Sequence, residues 1–344
     1  MRGALENVVV NASKIANPRP HEIVVDIGCN DGTLLRSYKS PGLIRVGFEP
    51  AKNLVADASK GTDYIFNDFF GFNLFERRFP NSKAKIVTSV AMFYDLDEPA
   101  SFVSDVSKLL HSHGVWVIQQ NYLPTMLEQN GFDNVGHEHL TYYSLETLSS
   151  LLSNHNLEIF DVETNDVNGG SFRTYVSHPG IFPIKESVSQ LKANEQKLFS
   201  KKPSIYKEFA KNVQRIRSQL NKFVASEVNK GRKIYVYGAS TRGNTILQYC
   251  GLDHNLLAKA TDANSEKWGL RTPGTGIPIV SKEEARREFP DYFLVLPHHF
   301  LEEITEQERD YLKSGGKFIV PLPKFRLVTA NTPDTATWGR RSSA

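Results

Sequence analysis

"HEIVVDIGCNDGTLLRSY", residues 21–38, decides the fold. An apolar run from Ile23 to Ile27, broken only by Asp26, leads into Gly28-Cys29-Asn30-Asp31-Gly32, after which helix-compatible spacing begins. A short buried strand, a glycine-bounded turn and a helix start form the opening of a β-α-β unit. The next strand is "LIRVGFEP" (43–50), and "DYIFNDFF" (63–70), "AKIVTSVAMF" (84–93) and "GVWVIQQN" (114–121) continue the series. Between them "EPASFVSDVSKLLHSHG" (98–114) repeats Phe102, Val106, Leu109 and Leu110 at helical spacing and stops at Gly114. Strands alternating with helices predict an α/β fold with a doubly wound, mostly parallel sheet.

The pattern then changes and restarts. From Pro183 to Lys230 the chain is polar, Lys-rich and helix-favouring, and "RKIYVYGASTRGNTILQYCG" (232–251) repeats the strand, glycine turn and helix. "LLAKATDAN" (256–264), "IPIVSKEEARREF" (277–289), "DYFLVLPHHF" (291–300) and "KFIVPLPKF" (317–325) follow as strand and helix candidates. The expected organisation is a first domain over 1–182, connecting helices over 183–230, a second Rossmann-like domain over 231–330 and a mobile tail over 331–344. Two domains suit a chain of 344 residues.

Composition narrows the partners. The 41 basic and 38 acidic residues are spread along the length, without the basic stripe that nucleic acid requires. Cys29 and Cys250 are far apart and form no C-x-x-C pair, so neither a disulfide framework nor a cysteine zinc site is expected; a reducing cytoplasm fits. No run approaches the ~18 apolar residues of a membrane helix. Glu6, Asn7 and Asn11 interrupt the N-terminal stretch where a signal peptide would be apolar, so a soluble cytoplasmic protein without membrane attachment is expected.

Either glycine turn could cradle a nucleotide cofactor, because backbone N–H groups at a helix start suit polar ligands. The first turn is not G-x-G-x-x-G; Asp26 precedes it, and Glu49 with Pro50 ends the second strand. A carboxylate at position 49 suits two ribose hydroxyls, which NAD and S-adenosylmethionine both possess. A negative charge at Asp26 would repel a pyrophosphate but attract a cationic amino group and sulfonium, which favours S-adenosylmethionine. Gly28, Asn30, Asp31 and Gly32 then form the cradle, and Asp68 with Phe69 is placed for the adenine. The alternative is that Asp26 and Glu49 only cap helices. In the second unit Gly238, Ser240, Arg242 and Asn244 form a turn whose arginine favours an anion, with Asp262 after the next strand. A phosphate-bearing ligand and a purely structural glycine turn both explain it. His298 and His299 are either a pocket wall or an ordinary strand end.

"GHEHLTYYS" (136–144) sets Glu138 between His137 and His139. Histidine serves as metal ligand, acid/base group or core residue. On a strand, residues two apart share a face, so His137 and His139 could ligate one ion, but the further ligands a metal needs are not evident. No metal is expected.

Together these residues resemble the S-adenosylmethionine-dependent sugar C-methyltransferases, which include nucleotide-sugar 3-C-methyltransferases of deoxysugar biosynthesis. The resemblance runs over nearly the whole chain: "VVDIGCNDGTLL", "GFEP", "NDFF", "EQNGFDNVGHEHLTYYS", "NDVNGGSFR", "YVYGASTRGNTILQYCGL" and "DYFLVLPHHF". It implies a class I methyltransferase Rossmann-like domain for the donor and a C-terminal Rossmann-like domain that helps to hold a nucleotide-sugar, a small-molecule substrate of carbohydrate biosynthesis. Such enzymes carry an N-terminal zinc-binding domain with four cysteines and a linker over the active site. This chain starts after both, so the resemblance implies no structural zinc and leaves open a partner that supplies the N-terminal part. The relatives also have tyrosine three positions before the catalytic histidine, where this chain has Gly136.

Methylating carbon beside a ketone requires removing a weakly acidic proton, which a neutral histidine can do while a carboxylate orients it. His139 is therefore the expected general base and Glu138 its orienter or a substrate-hydroxyl partner. Tyr142, Tyr143, Asn168 and His137 are candidate substrate-side groups. O-methylation would need a similar base, so these residues do not separate C- from O-transfer. An NAD-dependent oxidoreductase, disfavoured by the missing G-x-G-x-x-G, and a non-catalytic scaffold are the other functional classes.

Overall fold

The computed structural model describes residues 2–200 and 203–332. Most of the expected tail, 333–344, lies outside them. The chain divides into two compact units: one holds residues up to Pro124 and again Leu140–Ser200, the other Thr125–His139 and the described residues after 202.

In the first unit, helix α1 (Arg2–Ala16) precedes strands β1 (Ile23–Ile27), β2 (Ile44–Phe48), β3 (Tyr64–Phe66), β4 (Ala84–Val90), β5 (Leu110–Asn121), β6 (Glu158–Asn165) and β7 (Ser171–Ser177). The sheet runs β3-β2-β1-β4-β5-β7-β6. β1 to β5 are mutually parallel and β7 is antiparallel to both neighbours. All five residues of β1 are buried, as a central strand covered on both faces requires. Val8, Val9, Ala12 and Ala16 of α1 pack with Val24, Ile86 and Val117 on one face. On the other, α2 (Pro99–Leu109) and α3 (Leu145–Ser153) bury Phe102, Val106, Leu145, Leu148 and Leu152 against Val25, Val87 and Trp116. The expected doubly wound class I methyltransferase sheet is present.

The polar stretch after 182 divides between the units. Helix α4 (Glu186–Phe199) belongs to the first. Its buried Glu195 carboxylate accepts hydrogen bonds from the amides of Leu145 (2.5 Å) and Glu146 (3.0 Å) and from the Tyr122 hydroxyl (2.8 Å), satisfying N–H groups at the start of α3. Helix α5 (Ser204–Asn229) buries Val213, Ile216, Leu220 and Val224 in the core of the second unit.

The second unit carries β8 (Ile234–Tyr237), helix α6 (Thr241–Cys250), β9 (Lys259–Thr261), β10 (Ile279–Val280), β11 (Tyr292–Val295), β12 (Lys317–Val320) and β13 (Arg326–Val328). Its sheet order is β10-β9-β8-β11-β12-β13, parallel except for β13. This is the expected second α/β domain. Residues 125–139, expected with the first domain, belong here because Phe132 is buried in this core and the Asn130 side-chain amide donates to the Pro323 carbonyl at 3.0 Å.

Candidate functional site

The first glycine turn is shaped by backbone geometry. Gly28 and Gly32 have φ of 74° and 79°, and a Cβ on Gly32 would lie 2.8 Å from the Ala58 carbonyl oxygen. The amides of Gly28 and Cys29 both donate to the Phe48 carbonyl, so the turn hangs on the end of β2. Glu49, 6 % exposed, completes the tie: one carboxylate oxygen accepts from the Asn30 amide and the other from the Ala51 amide, each at 2.8 Å. A carboxylate offers about four acceptor positions; two are used, so the remaining pair fits a ribose diol. Pro50 lies beside it, and Asn67, which the sequence reading missed, donates to the carbonyls of Glu49 and Pro50.

Asp26 differs from expectation. It is not a charge displayed beside the turn: it is 3 % exposed and accepts a hydrogen bond from the Thr88 hydroxyl at 2.6 Å. Burial pushes its carboxyl up to about 7, against the opposing Thr88 bond and with a smaller contribution from Glu49. Near neutral pH the group is therefore divided between its neutral and charged forms, which weakens the electrostatic argument for the donor. Asp31 is engaged with Thr33, whose amide and hydroxyl donate to it at 2.9 and 2.8 Å. Asp68 accepts from the Phe69 amide, and the Phe69 ring is 78 % exposed.

The histidine stretch is a turn, not a strand. The His139 amide donates to the Gly136 carbonyl at 3.2 Å, so the shared-face argument for His137 and His139 falls. Among the described residues no three of His, Cys, Asp and Glu gather where a metal ion could be held. His139 Nδ1 lies 2.7 Å from the Asn134 carbonyl oxygen. A carbonyl only accepts, so Nδ1 carries the proton and the lone pair of the neutral ring falls on Nε2. The group that orients His139 in this bond is thus the Asn134 carbonyl, where Glu138 was expected. The Glu138 carboxylate stands 3.9 Å from Nδ1 of the exposed His137.

Gly136, His137 and Glu138 line a cavity of about 780 Å³ in the second unit, with Ser240, Asn244 and Tyr249 of the glycine turn and α6, and with Lys267 and Arg271. That size suits a small-molecule ligand. Ser240 caps α6 by accepting from the Gly243 amide. Asn244 Oδ1 has no hydrogen-bond partner among the described residues, an acceptor costly to leave unpaired. Lys267 bridges Asp262 and the Ala239 carbonyl, both at 3.0 Å. Gly238 has φ of 91°, and a Cβ there would lie 2.9 Å from Pro297 Cδ, so the left-handed backbone and the proline ring together account for glycine without a ligand.

Several expected substrate groups sit elsewhere. Arg242 is not an open anion receptor: its Nε and Nη2 grip the buried Asp133 carboxylate at 2.8 and 2.5 Å. His298 and His299 do not line the cavity but feel Asp133 and Arg242; burial depresses the titration of both, His299 to about 4, so both are neutral at physiological pH. Tyr143 is a core residue, 5 % exposed, with its ring 5.3 Å from that of Phe93. Tyr142 is half-buried, and Asn168 occupies a left-handed position (φ 55°) in the loop before β7.

Two family descriptions match successive stretches of the chain, and their junction falls inside the first unit. A family described as "Methyltransferase domain" matches residues 2–162, and one described as "C-methyltransferase C-terminal domain" matches residues 166–323. The C-methyltransferase NovU of Streptomyces niveus is 33 % identical over 313 residues, covering 90 % of this chain and 74 % of NovU. Among solved structures, an S-adenosylmethionine-dependent methyltransferase from Clostridium acetobutylicum aligns over 52 % of this chain and 93 % of its own at 14 % identity, with a TM-score of 0.42. Magnesium protoporphyrin IX methyltransferase from Synechocystis with bound SAH aligns over 52 % and 83 % at 13 % identity, with a TM-score of 0.41. The methyl donor is S-adenosylmethionine, and the chain belongs to the family of S-adenosylmethionine-dependent C-methyltransferases.

Proposed function

We propose that the protein methylates a carbon of a keto nucleotide-sugar, with His139 as the general base. The observation that carries the reading is that the turn bearing Gly136, His137 and Glu138 lines the same cavity as the N-terminal end of α6. Arg271 on that cavity, whose guanidinium donates to the neutral Gly276 carbonyl, favours an anionic ligand, and the unpaired Asn244 Oδ1 favours one that also brings O–H or N–H donors.

In this reading the donor rests on the first unit's turn, Gly28 to Gly32, with Glu49 and Pro50 at the ribose and Asp68 and Phe69 at the adenine. S-adenosylmethionine supplies an electrophilic methyl group on a sulfonium. His139 Nε2 takes the proton from the carbon adjacent to the acceptor ketone, and that carbon's electron pair forms the new bond to the methyl group as the bond to sulfur breaks. The Asn134 carbonyl stabilises the imidazolium through Nδ1–H, and Glu138 and His137 meet the sugar's hydroxyls.

The test is incubation with S-adenosylmethionine and a panel of keto nucleotide-sugars, read by mass spectrometry and by NMR with a ¹³C-labelled methyl donor. A product heavier by one methyl, with the label on carbon, is expected. A label on oxygen would overturn the C-methylation reading, and no transfer to any panel member would overturn the acceptor class. His139→Gln should abolish turnover with cofactor affinity unchanged; retained turnover would remove His139 as the base.

A further inference from the structure

Arg242 of the second glycine turn is paired with the buried Asp133 carboxylate. Phe132, Asp133 and Asn134 form a single 3₁₀ turn, and each residue does something different. Phe132 is buried in the second unit's core, with its ring 5.2 Å from that of Tyr249. Asp133, 2 % exposed, takes Nε and Nη2 of Arg242 on one carboxylate oxygen. Asn134 offers its carbonyl to His139 Nδ1. Just beyond, the Thr245 hydroxyl reaches the Val135 carbonyl at 3.5 Å. Arg242, Thr245 and Tyr249 are spaced i, i+3 and i+7, so they form one stripe along α6.

We propose that Arg242 and Asp133 are positioning residues for His139: their ion pair clamps the 3₁₀ turn onto α6, holds the Asn134 carbonyl against Nδ1 and thereby fixes the Nδ1–H tautomer. The catalytic relevance of the clamp rests on the reading of His139 as base. The clamp itself is a statement about geometry. A buried carboxylate that lost its guanidinium would be left charged without compensation, so the turn would be released rather than merely loosened. Displacement of an acid/base group by a fraction of an ångström is enough to slow proton transfer without weakening binding.

The experiment uses the full chain and the variants Arg242→Lys, Asp133→Asn and the charge exchange Asp133→Arg/Arg242→Asp. Two quantities are read: the ¹⁵N shifts of the His139 imidazole, assigned by their loss in His139→Gln, and the steady-state constants for the acceptor that the panel identifies. The wild type should show the Nδ1–H tautomer. Both single variants should show mixed tautomers and an altered pH profile of kcat, with kcat down roughly tenfold to a hundredfold and acceptor KM little changed. The exchanged pair should recover part of both, and an unchanged thermal-unfolding transition of the full chain certifies the fold. A wild-type-like tautomer in the single variants would overturn the clamp. So would a raised acceptor KM at constant kcat, the signature of a phosphate ligand. Turnover retained in His139→Gln would instead remove the base reading and leave the tautomer result to decide the clamp.

Discussion

The Asp26 carboxyl and the Thr88 hydroxyl meet at 2.6 Å across the neighbouring strands β1 and β4, both residues buried. Burial raises the Asp26 carboxyl from its ordinary 3.8 to about 7. The folded protein therefore keeps a proton that the unfolded chain releases in that interval. The resulting stabilisation is fully present below about pH 4 and is lost as pH rises through about 7. Three units correspond to on the order of 4 kcal/mol. Asp26→Asn cannot ionise yet still accepts from Thr88. Urea unfolding of both proteins from pH 4 to 8 should show the wild type losing stability relative to the variant across the window. A difference that stays constant with pH would show that Asp26 titrates like an ordinary carboxyl.

Glu49 makes a different kind of prediction, because both of its oxygens hold backbone amides, those of Asn30 and Ala51. In Glu49→Gln one of the two positions becomes an NH₂ group, which opposes the amide it faces. Loss of a charge-assisted bond to backbone costs on the order of 2 kcal/mol. The affinity for S-adenosylmethionine should fall at least tenfold by calorimetric titration. Unchanged affinity would place the cofactor away from this carboxylate.

Gly238 and Gly231 separate backbone strain from steric exclusion. Both have positive φ, 91° and 79°, but a Cβ on Gly231 meets nothing within 4 Å whereas one on Gly238 meets Pro297 Cδ at 2.9 Å. Gly231→Ala should cost about 1 kcal/mol, the left-handed penalty alone. Gly238→Ala should cost clearly more, because the proline ring must also move. Equal losses in thermal unfolding would show that the turn relaxes freely.

Both sheets were legible in the sequence because their central strands are buried and read as apolar runs, β1 broken only by Asp26, and because β1 and β8 are each followed by a glycine turn. The environment of single polar residues was not. Asp26 is a buried acid rather than a displayed charge because the sheet covers it, and its partner Thr88 arrives from another strand 62 residues away. Arg242 looked like an anion receptor because its partner Asp133 lies 109 positions earlier with no local signal linking them. The same long-range pairing explains why residues 125–139 belong to the second unit. The strand reading of His137 and His139 failed for a local reason, the Gly136-to-His139 turn bond. Tyr143 was taken for a substrate group because aromatic residues serve cores and sites alike, and only the packing against Phe93 decides between them.

Gly136 stands where the resemblance implies a tyrosine, and its surroundings allow that expectation to be tested. Its φ lies outside the left-handed region, so any side chain fits the backbone, and the nearest atom to an added Cβ is Glu138 Oε2 at 3.2 Å, the far end of a flexible side chain. Gly136→Tyr should therefore fold with a stability change within about 1 kcal/mol. It would place a large ring at the wall of the about 780 Å³ cavity, beside His137 and Glu138. The expected result is a fall of roughly tenfold in kcat/KM for the acceptor that the wild type prefers, equivalent to about 1.4 kcal/mol of lost transition-state binding. S-adenosylmethionine affinity should be unchanged, because the donor's proposed residues belong to the first unit. Gly136→Ala, which adds one methyl group, should retain most of the activity. If the tyrosine variant keeps wild-type kcat/KM across the acceptor panel, position 136 does not shape the acceptor site and the determinant must be sought among Asn244, Tyr249, Lys267 and Arg271.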